Sequence, residues 1–294
     1  MRTVFLGTSE FAAAVLERIA SSEHRPALVV TRPDRPRGRG RRITPPPVAA
    51  AARALGIEVA QPGSVNEPTP RRRIAAARPE VLLLCAYGAL IREPLLGEFP
   101  IMNVHPSLLP RWRGAAPIER AIMAGDAETG VSIMRLTAGL DSGPVCNQAP
   151  EPINPADTYG TLSARLQSSA ARLLLRTLDE RPDCEPQNDA QATYAEKISA
   201  ADRLLDPDKP ALVLERVVRA LTPHVGAQLQ LRDGTLLGVR AARVLEQGPA
   251  PGELALAGPR PVLGCAEGAL ELLAVHPPGR RPMSGEEYLR GLRR

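Results

Sequence analysis

Asn103 and His105 stand two residues apart at the end of the apolar run Ile101–His105. Side chains alternate across a strand, so in an extended segment these two share one face while Met102 and Val104 occupy the other. A carboxamide donor beside an imidazole can hold a developing oxyanion and move a proton. A lone histidine at a strand end is also commonly a hydrogen-bonded structural residue. The third polar group is Asp141, a single carboxylate set between two glycines in Gly139-Leu140-Asp141-Ser142-Gly143. By itself that pattern describes a β-turn. Paired with His105 it becomes chemistry, because a carboxylate orients an imidazole and raises its proton affinity.

A second feature is the segment Arg32–Pro47, RPDRPRGRGRRITPPP. It carries Arg32, Arg35, Arg37, Arg39, Arg41 and Arg42 against one acid, Asp34. Arginine runs are often only solvated loops. This one follows a strand's carboxyl end, where ligands of open α/β sheets bind, and there it could grip a phosphate backbone. Other chemistries find no support. GTSEF after the first strand has one glycine and is no GxGxxG dinucleotide site. His24, His105, His224 and His276 lack zinc-ligand spacing. No GxSxG elbow is present, and no cysteine neighbours His105, so a covalent acyl-enzyme is not indicated.

The elements that must position these groups begin with a strand at Thr3–Gly7, a helix Ser9–Ala20 capped by Thr8 or Ser9, and a strand Ala27–Thr31. A helix Val48–Leu55 stopped by Gly56 follows, with short strands at Ile57–Ala60, Val81–Ala86, Ile101–His105 and Val131–Leu136, the last near an edge. Strands alternating with helices argue for an α/β domain with a largely parallel sheet. A long helix is expected over Asp157–Glu180, with Leu162, Leu166, Leu173, Leu174 and Leu178 on its apolar side. Arg181–Pro210, rich in Pro, Asp, Asn and Gln, reads as a linker. Beyond a helix at Ala211–Leu221, short apolar runs recur at Ala227–Leu231, Thr235–Val244, Glu253–Ala257, Val262–Cys265 and Ala269–Val275. Five short strands with Asp-Gly and Glu-Gly turns predict a small β-barrel of oligonucleotide-binding type, closed by a capped helix over Ser284–Leu292.

Bulk composition narrows the classes. At 294 residues two domains are the default. Aromatics are only 3%, so the core must be built from Ala, Leu, Val and Ile. No run of about 18 apolar residues exists, which predicts no membrane span. The apolar run from Thr3 leaves no room for a leader peptide. Cys85, Cys146, Cys184 and Cys265 are scattered without CxxC pairing, so neither a metal site nor a disulfide framework is expected, and a reducing cytoplasm fits. Net charge is +5, which allows a polyanionic partner. With lysine only at Lys197 and Lys209, clustering of arginine is more telling than the total.

The motifs together carry a resemblance. NVHPSLLPRWRGAAPI (Asn103–Ile118), GDAETGVSIMRLTAGLDSGPV (Gly125–Val145), Ala86-Tyr87-Gly88, the arginine loop and Thr193-Tyr194-Ala195-Glu196-Lys197 resemble the folate-dependent formyltransferases. The longer SLLPRWRGAAPI and PDRPRGRG strings are similar to the methionyl-tRNA formyltransferase branch. The match runs in order from Thr3 to about Lys197.

The resemblance implies a Rossmann-like, mostly parallel α/β catalytic domain over residues 1–181. A linker over 182–209 and a smaller OB-fold-like C-terminal β-barrel that binds tRNA, over 210–294, complete it. It implies transfer of the formyl group of 10-formyltetrahydrofolate to the α-amine of methionine on initiator tRNA, with no metal. Asn103 would stabilise the oxyanion, His105 would manage protons and Asp141 would orient it. Ser107, Leu108, Leu109 and Pro110, with Ala86, Tyr87 and Gly88, would hold the folate. Arg39, supported by Arg35, Arg37, Arg41 and Arg42, would contact the acceptor stem. A cytoplasmic monomer is expected. One departure is visible: Leu221–Ala227 lacks the aromatic that relatives often carry after the interdomain helix. A formyltransferase of a small amine, or a non-enzymatic RNA-binding protein, remains an alternative at this point.

Overall fold

The computed structural model describes residues 1–37, 40 and 42–292; of Arg37 only the backbone is described. Two compact units emerge. The first takes Met1–Gly114, Thr129–Pro152 and Ser163–Tyr194; the second takes Ala115–Glu128, Ile153–Leu162 and Ala195–Arg294.

The first unit starts with β1 (Thr3–Gly7), α1 (Glu10–Ala20) and β2 (Pro26–Val30). All five β1 residues are buried, as befits a central parallel strand covered on both faces. Ser9 caps α1 by accepting from the Ala12 amide, with Glu10 in the first turn and Arg18 in the last matching the helix dipole. The arginine segment then forms a hairpin of β3 (Arg35–Arg37) and β4 (Arg42–Thr44), where a plain loop was expected. Next come α2 (Pro47–Ala54), β5 (Val59–Ala60), α3 (Pro68–Ala76), β6 (Val81–Cys85), α4 (Leu95–Glu98), β7 (Ile101–His105) and β8 (Arg113–Gly114). After α5 (Pro117–Ala124) the chain adds β9 (Glu128–Arg135), β10 (Val145–Pro152) and the long α6 (Tyr159–Glu180).

Sheet order is β10-β9-β7-β6-β1-β2-β5. The five strands from β7 to β5 pair in parallel, and β9 joins β7 antiparallel. Crossing from β1 to β2 and back to β6 is the arrangement whose strand ends open a ligand crevice. Val4, Leu6, Val30, Leu82 and Leu84 form one core layer beneath this crevice.

The linker expectation for Arg181–Pro210 meets a short strand, β11 (Tyr194–Ala195), and two single 3₁₀ turns. The expectation of no disulfide framework is corrected: Cys146 is bonded to Cys184. Val145 and Glu185 form an antiparallel bridge, which makes the adjacent cysteines direct neighbours although 38 residues separate them in sequence. Spacing could not reveal that.

In the second unit α5 packs on α7 (Ala211–Leu221). Ala211, Leu214, Val218 and Leu221 of α7 lie on one helical face and enter the core. Around them runs an antiparallel ladder of β12 (Ala227–Gln230), β13 (Leu236–Leu245), β16 (Ala269–His276), β15 (Val262–Gly264) and β14 (Leu254–Ala255), with β17 (Met283–Ser284) added to β16. The closing helix α8 (Gly285–Leu292) begins in a capping box: Ser284 Oγ accepts from the Glu287 amide while Glu287 accepts from the Ser284 amide.

Candidate active site

Asn103 and His105 project from β7, where β6 lies on one side and β9 on the other. They are 7% and 4% exposed, so each polar atom needs a partner. Asp141 supplies it. One carboxylate oxygen accepts from Asn103 Nδ2 at 3.3 Å, and the other lies 3.6 Å from His105 Nδ1 and accepts from the Gly114 amide at 2.9 Å. In sequence these groups lie 38 and 36 residues from Asp141; the fold brings all three together.

His105 Nε2 lies 2.8 Å from the Trp112 carbonyl. A carbonyl oxygen only accepts, so Nε2 carries the hydrogen, and Nδ1, on the Asp141 side, is the nitrogen free to gain or lose a proton.

Ser107–Pro110 is held in one shape by a buried hydroxyl. Ser132 on β9 donates to the Ser107 carbonyl and accepts from the Leu109 amide and from Gln148 Nε2, which also reaches the Leu109 carbonyl. The Leu109–Pro110 peptide is cis. Gly130 makes this fit possible: a Cβ there would stand 2.5 Å from Leu108 and 2.3 Å from the Ala149 carbonyl. Across the site, Thr8 Oγ donates to the Tyr87 carbonyl and Arg32 to the Gly88 carbonyl, which fixes the Ala86–Gly88 turn. The Tyr87 ring is buried in the core beneath the sheet, and burial pushes its hydroxyl up. What this turn offers a ligand is therefore backbone. Burial also pushes the neighbouring Cys85 thiol up, which keeps it protonated and unreactive.

Three residues of this region hold a left-handed backbone without being glycine: Ala86 (φ 42°), Trp112 (φ 64°) and Asp141 (φ 44°). Such conformations cost about 1–3 kcal/mol and cluster where surrounding structure imposes them.

Arg35 and Arg42 are exposed, with Ile43 beside them 73% exposed. Arg39 and Arg41 lie outside the described residues, and so does the Arg37 side chain. The hairpin's root is firm, since Gln61 Nε2 donates to the Arg32 carbonyl and to Asp34. Sequence reasoning missed Ser132, Gln148, Gln187 and Thr193, common polar types that bond backbone groups far along the chain, and Arg113, whose guanidinium meets the Gln187 and Asp189 side chains. In the second unit, His224 fills the position lacking an aromatic: its ring stacks on Tyr159 at 3.7 Å and it bonds Glu119 at 2.9 Å.

Among the described residues no group of three His, Cys, Asp or Glu side chains could hold a metal ion, and no helix is long and apolar enough to cross a membrane.

A family model described as formyl transferase matches residues 1–178, and one described as the formyl transferase C-terminal domain matches residues 197–293. A protein named methionyl-tRNA formyltransferase from Methylococcus capsulatus is 43% identical, across 98% of this chain and 96% of its own. Another of that name, from Dechloromonas aromatica, is 42% identical across 99% and 96%. Among solved structures, HypX from Aquifex aeolicus in complex with tetrahydrofolic acid has the same fold at TM-score 0.68 and 17% identity. It covers 98% of this chain, which spans 47% of that one. Matched by the formyl transferase model over more than half its length and by relatives nearly end to end, the chain belongs to the formyl transferase family.

Proposed function

We propose that this protein transfers the formyl group of 10-formyltetrahydrofolate to the α-amine of methionine esterified to initiator tRNA. The observation that carries the reading is the convergence of Asn103, His105 and Asp141 at the end of β7, inside a chain whose full-length relatives bear that name. A folate donor is supported by the family and by the tetrahydrofolic acid complex of HypX, a protein of like fold. Ser107–Pro110 and the backbone of Ala86–Gly88 are the surfaces we assign to it. Their support is the pinned shape of both segments, held by Ser132 and Gln148 on one side and by Arg32 on the other.

In the reaction the amine nitrogen bonds to the formyl carbon, and the bond from that carbon to the folate nitrogen breaks. The proton released by the amine ends on the departing nitrogen. Asn103 Nδ2 donates to the oxygen that becomes an oxyanion on the way. His105 moves the proton at Nδ1, and Asp141 holds the ring and offsets its charge. Arg35, Arg37, Arg39, Arg41 and Arg42 grip the acceptor stem's phosphates, and the C-terminal domain adds tRNA contact. The protein works as a monomer in the cytoplasm, where translation begins.

Incubation with labelled 10-formyltetrahydrofolate and charged initiator tRNA tests this. Formylmethionyl-tRNA should accumulate, more slowly on charged elongator tRNA and not at all without the donor. Absence of label on tRNA, with transfer to a small amine instead, would replace the reading.

A further inference from the structure

Asp141 makes its three contacts from a left-handed backbone, φ 44°, a sparsely populated conformation that surrounding contacts help to hold. Its carboxylate cannot be the whole restraint, because the groups it touches are the ones it must orient. The restraint on its backbone comes from a residue 46 positions later. Gln187 Nε2 donates to the Asp141 carbonyl at 2.8 Å and to the Gly143 carbonyl at 2.7 Å, spanning the turn. The turn is closely fitted beneath, since a Cβ on Gly143 would stand 1.9 Å from the Arg135 carbonyl.

The other end of the same amide is engaged as fully. Gln187 Oε1 accepts from Arg113 Nε at 3.0 Å and Nη2 at 2.9 Å, so both donors and both acceptor sites of the carboxamide are used. Arg113 is only 3% exposed, and its Nη2 also donates to Asp189. A guanidinium only donates and carbonyls only accept, so the amide can face only one way.

Arg113 sits between the two backbone groups that touch the catalytic cluster. The carbonyl before it, Trp112, accepts from His105, and the amide after it, Gly114, donates to Asp141. Thr193 fixes this strand from outside: its hydroxyl accepts from the Trp112 amide and its carbonyl from the Arg113 amide. A closed circuit results, running His105, Trp112, Arg113, Gln187, Asp141 and back to His105.

We propose that Gln187, seated by Arg113, is a positioning residue that sets the Asp141 turn and so the placement of Asp141 against His105 and Asn103. The inference rests on the formyl-transfer reading above. Misplacement of a catalytic group by about 1 Å can cost about 10²-fold, so loss of the clamp should be read in turnover. Substrate binding should change little, because Gln187 touches neither surface assigned to a substrate.

Gln187→Glu is the sharp variant. It keeps size and the Arg113 pairing but turns the donor at the two carbonyls into an acceptor. It should lower kcat by about tenfold to a hundredfold with KM for tRNA and for the folate donor within about threefold of wild type. In an Asp141→Asn background the same change should cost less than about threefold, because the group it positions is already disabled. A merely structural role predicts instead equal losses in both backgrounds, or a lower melting temperature with kcat retained; either overturns the proposal. Should Gln187→Glu not fold, Gln187→Met, which keeps the volume without polar atoms, is judged by the same criteria. A wild-type protein that transfers no formyl group to tRNA would defeat the parent reading. An active wild type with an unchanged Gln187→Glu defeats only this inference.

Discussion

The Asp141 turn and the β3–β4 hairpin are both polar, glycine-bearing excursions from the same sheet, and they are built in opposite ways. Asp141 is tied through carboxylate, carbonyl and neighbours to Asn103, Gly114 and Gln187, with its side chain 15% exposed. The hairpin is pinned at its root by Gln61 and Arg32, and beyond it Arg35, Arg42 and Ile43, among the described residues, stand in solvent. The contrast matches the roles proposed for the two regions. Stabilising charge in a transition state requires dipoles already in place and shielded from water. Capturing a polyanion requires reach and charge, with exposed side chains free to adapt. One region should therefore act on kcat, the other on acceptor KM.

The largest effect expected is at the buried cluster. Asn103→Ala or His105→Ala should lower kcat by about 10²- to 10⁴-fold while leaving KM for tRNA within about threefold. Steady-state formylation kinetics check it, and a change confined to KM would break the contrast. The hairpin comes second. An Arg39→Ala, Arg41→Ala, Arg42→Ala variant should stay folded and raise KM for tRNA by about tenfold or more. The slope of log affinity against log salt should fall by about one per lost phosphate contact. Unchanged tRNA kinetics would point to a different acceptor surface.

A charged pair outside both regions sharpens the distinction. In the second unit Arg120 grips Asp202 through two hydrogen bonds, and Ser199 adds two more. The Arg120 hydrogen bond, then those of Ser199, hold the Asp202 carboxyl well below its ordinary range. A depressed carboxylate stabilises the fold above its unfolded value, and that stability is lost as pH falls through the folded one. The pair is partly open to water, so Asp202→Asn should cost about 1–2 kcal/mol at pH 7. The penalty should shrink below about pH 4 and leave kcat unaltered. Urea unfolding at several pH values measures it, and a penalty constant down to pH 2 would contradict the linkage.

Much of this is legible in the sequence, for physical reasons. Asn103 and His105 could be paired because a strand's period of two puts them on one face, and short apolar runs such as Thr3–Gly7 and Val81–Ala86, alternating with helices, announce a largely parallel sheet whose strands are buried. Helix signals also held where chemistry is local: the cap at Thr8 or Ser9, which proves to be Ser9, the Gly56 stop and the capped closing helix. The clamp on Asp141 was invisible because it runs through main-chain carbonyls, which any residue supplies. A glutamine in a Pro-rich stretch looks like linker until the fold puts it 2.8 Å from the turn. The Cys146–Cys184 bond was hidden likewise, by a bridge between Val145 and Glu185 that has no sequence signature. Nor does any local pattern say that α5, next to the catalytic motif in sequence, groups with the C-terminal sheet.

Single-turnover formylation at saturating charged initiator tRNA tests the division of labour most directly. The hairpin variant should recover to within about threefold of the wild-type rate once acceptor saturates, whereas His105→Ala should stay at least about 10²-fold slower at any concentration. A hairpin variant still crippled at saturation, or a His105→Ala protein restored by more tRNA, would contradict the account.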